Sequence, residues 1–163
     1  MTEDASRFLA PLLTLGLGER SDGTTWSVMY LPDASERPYA GVFAGSETAS
    51  PVAFGFVTTD RGDTWELVDT AGLPFALMTY DAYGNPAAAQ TAATAASIAE
   101  ANMLAYAGYC YDDFSGLYYC SQCYYDPVTA QFISKDPAKA DGEVSAYQYC
   151  GGDPVGKTDP SGE

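Results

Sequence analysis

AYAGYCYDDFSGLYYCSQCYYDPVTAQFISKDP, Ala105 to Pro137, decides how the rest of the chain is read. Tyrosine-rich runs alternate here with clusters that suit only turns, Asp112–Gly116 (DDFSG) and Asp126–Ala130 (DPVTA). Tyrosine favours strands. Asp, Pro and Gly supply the backbone angles that tight turns need. The stretch therefore predicts two β-hairpins.

Upstream the same texture recurs. TTWSVMYL (Thr24–Leu31), YAGVFAG (Tyr39–Gly45), PVAFGFVTTD (Pro51–Asp60), TWELVDT (Thr64–Thr70) and FALMTYDAYGN (Phe75–Asn85) read as short strands. They are separated by the turn-formers PDASERP, RGD and AGLP. RGD, at Arg61–Asp63, has the form of an integrin-binding tripeptide, but it sits where a hairpin must turn, and the turn is the reading adopted. RFLAPLLTLGLG (Arg7–Gly18) is apolar and broken by Pro11, Gly16 and Gly18, so helix and strand are equally arguable. One stretch breaks the pattern. NPAAAQTAATAASIAEAN (Asn85–Asn102) predicts a helix capped by Asn85, with Pro86 at its first position, ending near Ala101. Ile98, Met103 and Leu104 would be its buried residues, and a low-complexity linker is the alternative. The fold class expected is mainly β, twisted antiparallel hairpins with one short Ala-rich helix.

Composition narrows function. Against 22 acidic residues stand 7 basic ones and no histidine, for a net charge of −15. Such a surface repels nucleic acid and anionic membranes. Without histidine, Ser-His-Asp and Cys-His chemistry needs a second chain. No apolar run reaches the roughly 18 residues of a membrane helix. The opening MTEDASRFLA lacks a basic n-region, so no signal peptide is expected in this chain. Nothing in the sequence calls for a cofactor.

YDAYGNP (Tyr80–Pro86), GYCYDDFSGLYY (Gly108–Tyr119), CYYDPVTAQFISKDP (Cys123–Pro137) and the closing DPVGKTDPSG (Asp153–Gly162) occur in that order. Together they resemble the core domain at the end of RHS (rearrangement hot spot) and YD-repeat proteins. The resemblance covers residues 54–163 as a core-like domain and leaves 1–53 as N-terminal strands of uncertain affiliation. It implies hairpins wound into a hollow shell, a core that closes one end, and an enclosed C-terminal cargo, in many members a toxin. It implies a bacterial protein, secreted or at the cell surface, whose partners are the rest of the shell and the cargo; charge and hydropathy add the expectation of no nucleic acid and no membrane insertion. It also implies an aspartyl autoprotease in which Asp136 and Asp159 share the acid–base work, Lys135 supports them, and the chain is cut after the motif Asp159, Pro160, Ser161, Gly162. Paired carboxylates suit that chemistry, because two close acids split their pKa values into one acid and one base. Lys135 stands where the family has arginine and Lys139 where it has glycine, so the preferred role is structural: closing the shell and placing the point where cargo begins. Self-cleavage is the alternative, and a surface adhesion module binding glycans or proteins through exposed tyrosines is a third.

Cys110, Cys120, Cys123 and Cys150 are disulfide candidates, with free core thiols and a metal site as alternatives. One register of the first hairpin sets Cys110 opposite Cys120, and Cys123 could meet Cys150 if their strands are neighbours. CSQC read as mid-strand argues against a metal, since residues three apart on a strand face opposite sides. The tyrosines are read as cross-strand packing rather than a sugar platform. A thin sheet of hairpins needs something to pack on, and self-association is expected.

Overall fold

The computed structural model describes residues 15–19, 22–33, 37–87, 90–91, 95–135 and 145–159. Of the described residues strand accounts for 41% and helix for 11%, and among them there is no closed barrel. β1 (Leu15–Glu19), β2 (Thr25–Pro32), β3 (Pro38–Gly45), β4 (Val52–Thr58), β5 (Thr64–Val68), β6 (Pro74–Leu77) and β7 (Gln90–Thr91) form a 7-stranded antiparallel sheet in chain order. β8 (Cys110–Asp112), β9 (Leu117–Tyr119), β10 (Tyr124–Asp126) and β11 (Gln131–Phe132) form a second, 4-stranded sheet. Between the sheets lies one short helix, α1 (Ala96–Ala101).

The first sheet follows its alternation. Val28 and Tyr30 on β2, Phe43 on β3, Phe54 on β4, Leu67 on β5 and Ala76 on β6 share one buried face. α1 covers that face through Ile98 and Ala101, joined by Leu104. Gly41 pairs with Phe54, whose ring lies over it, and a Cβ at Gly41 would meet that ring at 2.4 Å. The Tyr30 hydroxyl reaches out of this core. It donates to Asn102 Oδ1 at 3.2 Å and accepts the Met103 N–H at 2.9 Å, which fixes the exit from α1. The sheet runs on through residues 53 and 54, with Val42 paired to Ala53 and Gly41 to Phe54.

The helix expected from Asn85 is corrected. Asp81 to Asn85 form a closed turn: the Asp81 carboxylate accepts the Tyr83 N–H at 2.8 Å, the Asn85 N–H at 3.0 Å and the Asn85 side-chain amide at 2.8 Å. Asn85 is therefore spent on the turn and caps nothing. Pro86 bridges Tyr80, and Gln90 and Thr91 pair with β6. Alanine's helix preference is worth only about 0.5 kcal/mol per residue over ordinary residues, and ladder pairing at a sheet edge outweighs it. The helix that does form ends at Ala101, as expected.

Gly84 in this turn has φ +88, and a Cβ there would meet the Tyr106 ring at 2.6 Å. Gly84→Ala is expected to cost more than about 2 kcal/mol, from backbone strain and displacement of a packed ring together. Gly72, φ +79 with nothing within 4 Å of a Cβ, isolates the backbone part. Urea titrations of the two alanine variants check this, and equal losses would mean that the ring contact contributes nothing.

Candidate functional site

The second sheet is built on tyrosine. Tyr106, Tyr109, Tyr118, Tyr125 and Tyr149 are buried with Phe132, Cys120 and Cys123 in one cluster. Tyr149 lies at the centre, its ring centroid 4.2 Å from Tyr125 and 5.7 Å from Phe132. The hydroxyls leave the cluster on the side of the Asp81–Asn85 turn. Tyr106 donates to the Ala82 carbonyl at 3.0 Å, Tyr125 to the Tyr83 carbonyl at 2.7 Å and Tyr118 to the Gly84 carbonyl at 2.7 Å. Asn85 adds a bond from its amide to the Pro127 carbonyl at 2.9 Å. Tyrosine rather than phenylalanine suits these positions, because the ring fills the core and its O–H pairs with turn carbonyls, that of Gly84 in a fully buried bond.

Tyr109, paired with Tyr149, holds the backbone at Asp159. Their hydroxyls are 3.2 Å apart, and the Tyr109 hydroxyl donates to the backbone carbonyl of Asp159 in a short hydrogen bond. Asp159 and Thr64 are the buried polar side chains among the described residues. Burial pushes the phenols of Tyr109, Tyr118, Tyr125 and Tyr149 far above their usual range. They stay protonated and act as hydrogen-bond donors, never as phenolate bases.

The approach to Asp159 is a pinned turn. Asp153 Oδ1 accepts the Gly156 N–H at 3.0 Å, and the Asp153 carbonyl accepts the Lys157 N–H at 3.1 Å. Arg61 reaches across from the first sheet and donates to the Pro154 carbonyl at 2.6 Å. Its guanidinium lies 4.8 Å from the centre of the Tyr106 ring. Asp63 anchors that arm. Its Oδ1 accepts from Arg61 Nη2 at 3.3 Å and from the Ala107 N–H at 2.8 Å, and its Oδ2 accepts from the Thr59 hydroxyl at 3.0 Å. RGD is thus the hairpin turn that was expected, and both charged side chains point inward.

Of the sequence-predicted site, Asp159 sits in the tyrosine core. Lys135 is exposed just after β11. Asp136, Pro160, Ser161 and Gly162 lie outside the described residues. Arg61, Asp63 and Asn85, which fix the site, were not singled out for it. Their signal was present in RGD and YDAYGN, but only as turn chemistry.

The structure draws no disulfide bond among the four cysteines. β8 and β9 pair Cys110 with Tyr119, so the register that sets Cys110 opposite Cys120 is corrected by one residue. One residue of slip moves a side chain to the other face, and Cys110 accordingly packs against the first core and Cys120 in the second. CSQC is not mid-strand. Cys120 and Cys123 flank the turn between β9 and β10, both 2% exposed and in the same cluster, so the expectation of opposite faces is also corrected. Cys150 lies half-buried beside that cluster, in the 3-10 turn Tyr149–Gly152. Among the described residues no group of three or more His, Cys, Asp or Glu side chains could hold a metal.

Fold and site together define a β-hairpin unit whose tyrosine core grips both an internal turn and the approach to its own C-terminal motif. The fold recurs within a larger solved complex. In a crystal structure of TcdB2–TccC3 a segment superposes with a TM-score of 0.76 over 94% of this chain and 8% of that one, at 24% identity, which establishes the shared fold. Among curated proteins, the tRNA3(Ser)-specific nuclease WapA of Bacillus spizizenii is 32% identical over 151 residues, 86% of this chain and 6% of that protein. Double-stranded DNA deaminase toxin A of Burkholderia cenocepacia is 32% identical over 170 residues, 98% of this chain and 12% of that protein. The chain thus spans a small fraction of the length of these relatives. No protein-family model matches it.

Proposed function

We propose that the chain is the terminal core of an RHS/YD-repeat shell in a secreted or delivered bacterial polymorphic toxin, and that its work is structural. It would close the sheet and place the point, after Asp159–Gly162, where cargo begins. TccC3 is itself an RHS-repeat protein. One observation carries the reading. A nuclease named for RNA and a deaminase named for double-stranded DNA both contain a counterpart of nearly this whole chain. RNA cleavage and base deamination need unlike sites, so a piece common to both serves what the proteins share. The net charge of −15 fits, since a nucleic-acid enzyme gains most of its affinity from basic contacts to phosphate. The RHS-like division at residues 53 and 54 belongs to this proposal, as do the shell and cargo as partners. Among the described residues no helix is long and apolar enough to cross a membrane, which says nothing of strands.

The purified chain is expected neither to cleave tRNA nor to deaminate double-stranded DNA. Either activity, lost on denaturation and copurifying with the chain, would make the chain itself the toxin and overturn the structural reading. Self-cleavage using Asp136 and Asp159 with Lys135 is the second reading, favoured by the burial of Asp159. It requires cleavage after Gly162 in a longer chain, abolished by Asp159→Asn.

A further inference from the structure

We propose that Cys120 and Cys123 are a disulfide-forming pair that staples the turn between β9 and β10. The ladder pairs Tyr119 with Tyr124 and Tyr118 with Tyr125. Continued by one step, that register sets Cys120 directly opposite Cys123. The Cys120 N–H donates to the Cys123 carbonyl at 3.0 Å, so the ladder does continue. Directly opposed residues of an antiparallel pair have Cα atoms about 4.5–5.5 Å apart. Disulfides span about 4.4–6.8 Å between Cα atoms. Directly opposed side chains lie on one face, and both thiols are 2% exposed in one cluster. Ser121 within the turn has φ +68, a left-handed angle that a non-glycine residue adopts only when its surroundings impose it. A crosslink across the turn would impose it covalently.

Other pairings fit less well. Cys110 belongs to the opposite face and the other core, and Cys150 lies in a separate turn. Burial pushes the Cys120 thiol strongly upward, and Asp159, Cys123, Cys110 and Cys150 add in the same direction. The thiolate is the reactive form. Closure therefore proceeds as the hairpin forms or briefly opens, with a low-molecular-weight disulfide such as oxidised glutathione as oxidant. One cysteine thiolate attacks the glutathione disulfide and expels a glutathione thiolate. The second cysteine thiolate then attacks the mixed disulfide and expels the other. The two cysteine protons end on the two glutathiones, so the pair is oxidised and one glutathione disulfide is reduced. Once closed, the bond is shielded from reductant by the same burial. This inference is independent of the proposed structural role.

The test folds the 163-residue chain in a glutathione redox buffer, blocks remaining thiols with N-ethylmaleimide and digests with chymotrypsin. The expected product is the peptide Cys120–Tyr124, unmodified and lighter by two hydrogens. Reduction of the native protein by dithiothreitol is expected to be at least about tenfold slower than in denaturant, as a buried bond requires. Cys110→Ser/Cys150→Ser, which keeps both hairpin thiols, is expected to give the same peptide. Alkylation of Cys120 and Cys123 in the folded chain, or a crosslink of either to Cys150 or Cys110, would overturn the pairing. A zinc-binding outcome, seen as metal retained after dialysis with both thiols protected, would overturn it as well.

Discussion

Tyr149→Ala is expected to lower unfolding free energy by about 3–5 kcal/mol, a large share of what holds a domain of this size. The ring is fully buried and touches Tyr106, Tyr109, Tyr125 and Phe132. Its neighbours come from β10, β11 and the segment Tyr106–Tyr109, so no single element can move in to fill the space. The cavity joins chain segments rather than lying within one. The second sheet should therefore lose its tertiary signal before the first. Tyr149→Phe isolates the polar part. It removes the hydroxyl contact with Tyr109 and is expected to cost about 1 kcal/mol. Urea unfolding followed by near-ultraviolet circular dichroism reads both variants. A loss below about 1 kcal/mol for the alanine variant would mean that Tyr149 does not organise this core.

Asp63→Ala is expected to cost about 2–4 kcal/mol, although the residue lies in a hairpin turn. The truncation leaves the Ala107 N–H, the Thr59 hydroxyl and the Arg61 guanidinium without the carboxylate they share. Asp63 keeps only 13% side-chain exposure and Arg61 26%, so water replaces little of what is lost. The effect should reach beyond stability. Arg61 holds the Pro154 carbonyl, and without Asp63 that arm is no longer oriented. Limited proteolysis should cut between Asp153 and Asp159 in the variant under conditions that spare the parent chain. Asp63→Asn keeps one acceptor oxygen and is expected to lie between the two. A variant as stable and as protected as the parent would show that the turn is not the tie between the sheets.

Much of this architecture was legible because strand and turn signals are local. β2 to β5 follow alternation that any reader of Thr24–Thr70 would find, and the turns at Asp112–Gly116 and Asp126–Ala130 announce themselves by Asp, Pro and Gly. The failures share one cause. Alanine's propensity reads the run after Asn85 as helix, yet its Gln90 and Thr91 pair with β6 and its Asn closes a turn with Asp81. The CSQC turn carries neither Gly nor Asn, and Ser121 nevertheless takes a positive φ there. The tyrosine hydroxyls were the least legible part of the site. Alternation says which rings are buried, but not that Tyr106, Tyr118 and Tyr125 end on consecutive carbonyls of a turn 24 to 42 residues earlier.

That arrangement has a consequence for the order in which the molecule can assemble. In the first sheet every strand pairs with the one made just before it, so the ladder can grow from the N-terminus without waiting for later sequence. Such sequential pairing keeps loop closures short and the search fast. The second sheet is different. Its tyrosines need the Asp81–Asn85 carbonyls already presented in a row, and a strand register shifted by one residue would turn those rings to the wrong side. The turn therefore acts as a template against which the later hairpins are checked. Wrongly registered hairpins leave the hydroxyls of Tyr106, Tyr118 and Tyr125 and the Gly84 carbonyl without these partners, and that penalty adds to the loss of ring packing in selecting the register that survives.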